Sequence, residues 1–213
     1  MNDYTLIDGL FLYPTAAGAY QAVSQPDADK PRRLLRRLLQ LPETPALTLD
    51  QLAALTDDDP QKSLSLLHHC QKLGWIQGLA AAVKAPQGNL EDILPALLSN
   101  ISENGKVLLA DEQGFYLASQ GFPHEVAEEL SAMSADLASL HSRRSGLLVN
   151  NLGIGSHAWA IVDAFGHSQI GFWPLFVGKH RFIIAIAGIP HFNCAELVTL
   201  IWALSKRYAS KTD

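Results

Sequence analysis

The residues of this 213-residue chain that could do chemistry are eight histidines, two cysteines and a scatter of acidic side chains. Their spacing decides which chemistry is open to them. His68-His69-Cys70 has the composition of a metal site, but consecutive helical residues point about 100° apart and do not converge on one ion. His191 and Cys194 form a His-x-x-Cys pair, with no second pair to complete four ligands. Ser156, His157, Asp163 and His167 include the residue types of a nucleophilic triad, yet no Gly-x-Ser-x-Gly elbow surrounds the serine. Gly153-Ile154-Gly155 lacks both the third glycine of a dinucleotide loop and the Gly-Lys-Ser/Thr of a P-loop, and reads as a bend before a strand. The expectation is a protein that is not an enzyme, with no catalytic or metal-ligating residue and no cofactor.

The elements that hold these residues fall into three regions: an N-terminal segment, 1–30, a Leu-rich helical region, 31–88, and a mixed region, 89–213. The first ends in the breaker run Ser24 to Pro31. In the second, Leu34, Leu35, Leu38 and Leu39 share one face of a helix over about Pro31 to Leu41, with Arg32, Arg33, Arg36 and Arg37 opposite. Thr48 is a candidate N-cap for a helix carrying Leu49, Leu52 and Leu55. Pro60 suits the first position of a third helix that buries Leu64, Leu67 and His68 and ends at Gly74. A strand at Trp75-Ile76 and a return near Ala81 to Val83 complete the pattern. Three helices and a wing resemble a winged helix-turn-helix domain.

After the Ala85–Asn89 loop the pattern changes to helix, two strands, long helix, three strands, helix. The first helix starts between Asn89 and Asp92, a late start suiting Pro95 best. The strands are Lys106 to Ala110 and Phe115 to Ser119, joined by Asp111-Glu112-Gln113-Gly114. The long helix covers about Pro123 to Arg144. Trp159 to Val162, Gln169 to Phe172 and Phe182 to Ala187 follow as strands, and Asn193 with Glu196 has capping-box spacing for the last helix.

This order, with the run GKVLLADEQGFYLASQGF and an Ala- and Leu-rich helix after it, resembles the roadblock/dynein light chain family over roughly residues 90–209. The small-residue turn Ala110 to Gly114, the Ala118-Ser119 strand end and the Glu125 to Glu129 helix start carry the resemblance. It implies an α+β fold with a five-stranded antiparallel sheet, homodimerisation, and a small Ras-like GTPase or its signalling complex as partner. It implies no catalytic residue.

The long helix supports pairing without the resemblance. Val126, Leu130, Met133, Leu137 and Leu140 are spaced 4, 3, 4, 3, a heptad seam. The flanking Ala127, Ala132, Ala135 and Ala138 permit close approach on either side. The expectation is a helix with its sheet on one flank and a second copy of itself on the other, those five residues forming the dimer interface.

Charge bears on the rival reading, a dimeric transcription regulator that binds DNA through the winged-helix module. The net charge is −5, and residues 31–84 carry seven basic against five acidic side chains. The would-be reading helix offers only Gln61, Lys62, Gln71 and Lys72, and Asp57-Asp58-Asp59 precede it where phosphates would approach. Protein contact is therefore favoured over DNA. Arg32, Arg33, Arg36 and Arg37 are a candidate surface for an acidic partner, and Phe172-Trp173 a candidate apolar patch, beside a Pro174 expected to end its strand.

Composition frames these readings. Hydrophobic residues make up 48% of the chain and charged residues 17%, below the roughly 25% usual for soluble proteins, so disorder is excluded and covered apolar surface is expected. Cys70 and Cys194, 124 positions apart, read as reduced thiols of a cytoplasmic protein. Met1-Asn2-Asp3 has no basic leader character, and no run of 18 clean apolar residues offers a membrane span.

Overall fold

The computed structural model describes residues 5–209, so the opening residues read above for a leader lie outside it. The chain divides into two compact units, residues 1–87 with 197–213, and residues 88–196. This differs from the three-region division. The first 30 residues are part of the helical unit, and the end of the chain returns to it.

The first unit opens with β1 (Phe11–Pro14) and α1 (Ala16–Val23), whose N-cap Thr15 accepts from the Gly18 amide. Three helices follow: α2 (Lys30–Gln40), α3 (Leu49–Thr56) and α4 (Pro60–Lys72). The caps lie where side-chain chemistry favours them. Asp29, Thr48 and Asp59 each accept a backbone amide three residues on, and Pro60 begins α4, where no amide partner is required. Leu34, Leu35, Leu38, Leu39, Leu52 and Leu64 make the buried centre. His68 is exposed, and the inward positions of α4 are Ser63, Leu64, Leu67 and Cys70.

The wing takes a different form from that expected. The strand after α4 is β2 (Ile76–Leu79), and it pairs antiparallel with β1, from Phe11↔Leu79 to Pro14↔Ile76. No strand forms at Ala81 to Val83; the chain there bonds to the segment after α2, through the Thr44 amide to the Val83 carbonyl and the Glu43↔Lys84 bridge. The cause is the N-terminal segment, which occupies the edge of β2. Thr15 donates its amide to the Trp75 carbonyl and its hydroxyl to the Gly74 carbonyl. There α1 runs so close to the strand that a Cβ on Gly18 would lie 1.9 Å from the Trp75 oxygen.

The last helix, α7 (Ala195–Tyr208), starts two residues after the expected Asn193 cap, and the Glu196 carboxylate accepts from Asn100 instead of closing a capping box. From Leu197 onward it belongs to the first unit. The Trp202 indole donates to the Leu41 carbonyl at 3.0 Å and meets the Tyr13 ring edge-on, and Lys206 donates to the Gln40 carbonyl. The run Leu197 to Ser205, apart from Thr199, is buried.

The second unit is α+β. It begins with α5 (Leu90–Ser99), which places Pro95 beyond the first turn but on the exposed side. A five-stranded antiparallel sheet follows, in the order β4-β3-β7-β6-β5. Its strands are β3 (Val107–Ala110), β4 (Tyr116–Gln120), β5 (Trp159–Val162), β6 (Ser168–Val177) and β7 (His180–Ala187). The long helix α6 (His124–Ser145) connects β4 to the later strands through a π-helical turn at Gly146–Asn151. One sheet face packs on α6 through Leu108, Ala110, Phe172, Ile183 and Ala185 against Ala138.

Contrary to expectation, β6 does not end at Pro174. It continues to Val177, with Pro174 opposite Ile183. The β5 ladder stops at Trp159↔Phe172, so beyond that point one side of β6 has no neighbouring strand and a residue without an N–H is accommodated.

Two hairpins of this sheet, β3–β4 and β5–β6, share one turn device. Asp111 Oδ1 accepts the amides of Gln113 and Phe115, and Asp163 Oδ1 those of Phe165 and His167. Each turn places a glycine, Gly114 or Gly166, at positive φ.

Candidate interaction surface

The chemistry-bearing residues are distributed, each to a structural partner. His167 lies in the β5–β6 turn with its Nδ1 3.6 Å from Asp163 Oδ2, whereas His157 lies tilted against the His141 ring and meets Phe176 edge-on, with centroids 4.4 and 5.2 Å away. Ser156 accepts the Ala158 amide. Gly153-Ile154-Gly155 leads out of the π-helical turn toward β5. No group of three His, Cys, Asp or Glu side chains among the described residues is placed to hold a metal ion. Burial, with a smaller contribution from the Asp29 charge, pushes the Cys70 thiol up to about 11, away from reactive thiolate chemistry.

The arginines of α2 bind the protein's own backbone. Arg32, with 8% of its surface exposed, donates to the carbonyls of Gln21 and Asp27 and pairs with Asp29. Arg36 donates to Ala22, Gln25 and Pro26, and Arg37 to Leu55. Together Arg32 and Arg36 bond the Gln21 and Ala22 carbonyls in the last turn of α1 and the Gln25, Pro26 and Asp27 carbonyls of the segment after it. Of the four, Arg33 alone is exposed, so the expected arginine surface for an acidic partner is not assembled.

Phe172 is likewise a correction. It is 3% exposed, in the core beneath α6. Trp173 points to the other sheet face, where its ring lies across Gly171 and meets Phe192 edge-on. The two strand neighbours alternate faces, and both pack within their own unit.

On α4, Gln61, Lys62 and Lys72 are exposed. Lys62 is shared by Asp58 and Asp59 at 3.6 and 2.6 Å, and Lys30 also pairs with Asp58. These ammonium groups hold both carboxyls below the usual carboxylate range.

Helix α6 separates into two faces. The side against its sheet is Ala127, Ser131, Ser134, Ala138 and His141, again spaced 4, 3, 4, 3, and all five are buried. Small residues there let the helix approach the sheet closely. At the β3–β4 turn, a Cβ on Gly114 would lie 3.2 Å from the Ala132 Cα. Ser131 and Ser134 satisfy their hydroxyls by donating to the Ala127 and Ser131 carbonyls.

The apolar seam is the neighbouring stripe. Val126 is 42% exposed; Leu130, Met133, Leu137 and Leu140 are half-buried, the first three touching the core from its flank. Exposed apolar residues continue along the chain at Leu147, Val149, Leu152 and Ile154, and at Ile161 and Val162 on the edge strand β5.

A helix, a hairpin, a long helix and three more strands, in a sheet ordered β4-β3-β7-β6-β5, make the second unit. This unit is similar to a roadblock domain. Two solved structures show the likeness. The roadblock/LC7 domain from Streptomyces avermitilis is 16% identical, covering 56% of this chain and 94% of its own, with a TM-score of 0.37. MglB of Myxococcus xanthus is 15% identical, covering 61% of this chain and 99% of its own, with a TM-score of 0.36. No family model matches the chain, and no curated protein matches it in sequence.

At the end of the roadblock-like helix the buried His141 Nδ1 accepts from the Trp159 indole N–H at 3.2 Å, which leaves the other ring nitrogen, Nε2, without a partner. Burial lowers the pKa of this imidazole. Sequence reasoning singled out His157 and His167 and passed over His141, whose place in the helix repeat one residue beyond Leu140 was the available signal. Among the described residues, no helix is long and apolar enough to cross a membrane.

Proposed function

We propose that this chain is a non-enzymatic regulatory or scaffold protein of the cytoplasm that acts as a homodimer, paired through Val126, Leu130, Met133, Leu137 and Leu140 of α6, and that binds a protein partner. One observation carries the reading: α6 buries the stripe Ala127, Ser131, Ser134, Ala138 and His141, and its five large apolar residues lie on the adjacent stripe, half-buried or exposed. A helix that needed only its sheet would put the large residues inward. A seam left only half-buried and followed by more exposed apolar residues is the mark of an interaction site. The partner class, a small Ras-like GTPase or its signalling complex, is the one implied by the resemblance of residues 90–209.

The rival DNA reading would use Gln61, Lys62 and Lys72. Lys62 is committed to Asp58 and Asp59, and three aspartates stand at the start of α4, so protein binding is preferred.

Light scattering tests the pairing. The wild type is expected at twice the chain mass, and Leu137→Asp and the more exposed Val126→Asp at the single mass with unchanged circular dichroism. A wild type that stays monomeric at tens of micromolar, or variants that stay dimeric, would reject it. Capture from lysate tests the partner, with a GTPase expected to be retained in one nucleotide state. A complex with genomic DNA whose affinity falls steeply with salt would favour the rival.

A further inference from the structure

Between Asp136 and Glu196 the chain has one acidic residue, Asp163, and four basic ones, Arg143, Arg144, Lys179 and Arg181. That local surplus sits in a chain of net charge −5. The fold gathers it at one end of the second unit. Arg143 and Arg144 are exposed in the last turn of α6. Lys179 is exposed in the β6–β7 turn, and Arg181 pairs opposite Phe176. The His157 ring ties the two places together, with centroids 5.2 Å from Phe176 and 4.4 Å from His141 of α6. Asp163 follows the far end of β5, where its carboxylate accepts the amides of Phe165 and His167. None of the four basic side chains has an ion-pair partner among the described residues.

The segment between these groups, residues 146–156, carries no charged side chain, yet its apolar residues are not packed away. Leu147, Val149, Leu152 and Ile154 are between 43% and 59% exposed. A Cβ built on Gly146, Gly153 or Gly155 would meet nothing within 4 Å. Leu147 and Val149 are two positions apart on a helical turn and so point to roughly opposite sides. A flat partner or a groove covers one side of such a turn, whereas immersion in a medium covers both. The turn also closes its own backbone: the amides of Leu152, Gly153 and Ile154 donate to the carbonyls of Leu147, Val149 and Leu148. Backbone that is bonded to itself can enter a layer poor in water. A second copy of the chain is the wrong occupant, because a two-fold contact here would set these basic groups against their own equivalents.

We propose that residues 146–156 enter the headgroup region of an anionic lipid membrane, with Arg143, Arg144 and Lys179 bound to lipid phosphates and carboxylates. The four apolar side chains supply burial at the acyl boundary, and the basic groups supply attraction to the charged surface; the two contributions add. Such attachment is peripheral and needs no spanning helix. It does not depend on the homodimer reading, since a monomer carries the same segment.

Flotation of the full chain with lipid vesicles tests this. Vesicles of phosphatidylcholine and phosphatidylserine in a two-to-one ratio are expected to carry the wild type, and pure phosphatidylcholine about tenfold less of it. Arg143→Ala and Arg144→Ala are each expected to weaken binding about fivefold, and added salt to act in the same direction. Leu147→Asp with Leu152→Asp should abolish binding, while Ile7→Asp, at an exposed apolar site of the first unit, should leave it unchanged. A wild type that ignores both kinds of vesicle would overturn the proposal, as would a Leu147→Asp, Leu152→Asp variant that binds like wild type. Loss of dimer mass in that variant, with no vesicle binding by the wild type, would instead give the segment to an interface between copies. A solvent-sensitive dye on Leu152→Cys, in a Cys194→Ser background, reads the contact directly. Its emission should shift to the blue on the mixed vesicles, and an unchanged spectrum would also reject the insertion.

Discussion

The Trp159 indole N–H points at Nδ1 of His141, 3.2 Å away, and this one bond fixes the protonation state of a buried imidazole at the end of the long helix. Nδ1 must accept, so the ring is neutral with its proton on Nε2. A second imidazole, His157, lies tilted against it with centroids 4.4 Å apart.

The sign of the pH dependence follows. Burial depresses the pKa of His141 below the ordinary 6.5, so the unfolded chain takes up the proton first. The stability tied to this residue is fully present above the unfolded value and is lost as pH falls from there through the folded value. The melting temperature is expected to drop as pH is lowered below about 6.5. Asparagine supplies an acceptor near the position of Nδ1 and does not titrate, so His141→Asn should flatten that slope. Melting curves of the two proteins across the acidic range check this; parallel slopes would dissociate His141 from the effect.

Gly18 is irreplaceable for a steric reason. Any side chain there drives a Cβ to within 1.9 Å of the Trp75 carbonyl oxygen, a backbone atom in the turn that receives both bonds from Thr15. Gly18→Ala should cost about 3 kcal/mol, despite the better helix propensity of alanine. Chemical denaturation followed by Trp fluorescence measures it, and a neutral effect would contradict the close packing of α1 on the Trp75 turn.

The α2 arginines should divide by function in the fold. Arg36→Ala removes bonds to the carbonyls of Ala22, Gln25 and Pro26 and is expected to destabilise by about 2 kcal/mol. The exposed Arg33→Ala should change stability by no more than about 0.5 kcal/mol. Equal effects in urea denaturation would refute this division.

Phe172→Ala should act on stability and leave assembly alone. Its ring lies among Leu108, Ala138, Ile183 and Ala185, so truncation opens a cavity at a cost of about 3–5 kcal/mol. At temperatures where the variant remains folded, its light-scattering mass should equal that of the wild type. A changed mass with unchanged stability would return Phe172 to the surface.

Local chemistry made much of this protein legible. The caps at Thr48 and Asp59-Pro60, the Asp111 to Gly114 turn and the bounds of β5 are short-range: each depends on residues within a few positions of one another. The heptad seam of α6 was visible for the same reason. The candidate partner residues were less legible, because type and spacing do not report what a side chain reaches. Arg32, Arg33, Arg36 and Arg37 read as one basic face, yet Arg32, Arg36 and Arg37 turn back to their own backbone. Phe172 and Trp173 read as one apolar patch, and strand alternation sends them to opposite faces.

By itself, the sequence determined the order of elements from residue 90 onward, the Thr48 cap, the Pro60 helix start and the Asp111 to Gly114 turn, and the existence of a large apolar seam flanked by alanines on one helix. Only the tertiary structure decided that the stripe from Ala127 to His141 is the buried one and that the seam beside it is half-buried or exposed, that β2 takes its partner from Phe11–Pro14, and that α7 from Leu197 belongs with the first unit. Periodicity states which residues share a face, whereas what that face meets depends on contacts between segments far apart in the chain, and those are set by which packing buries the most surface without stranding a polar group.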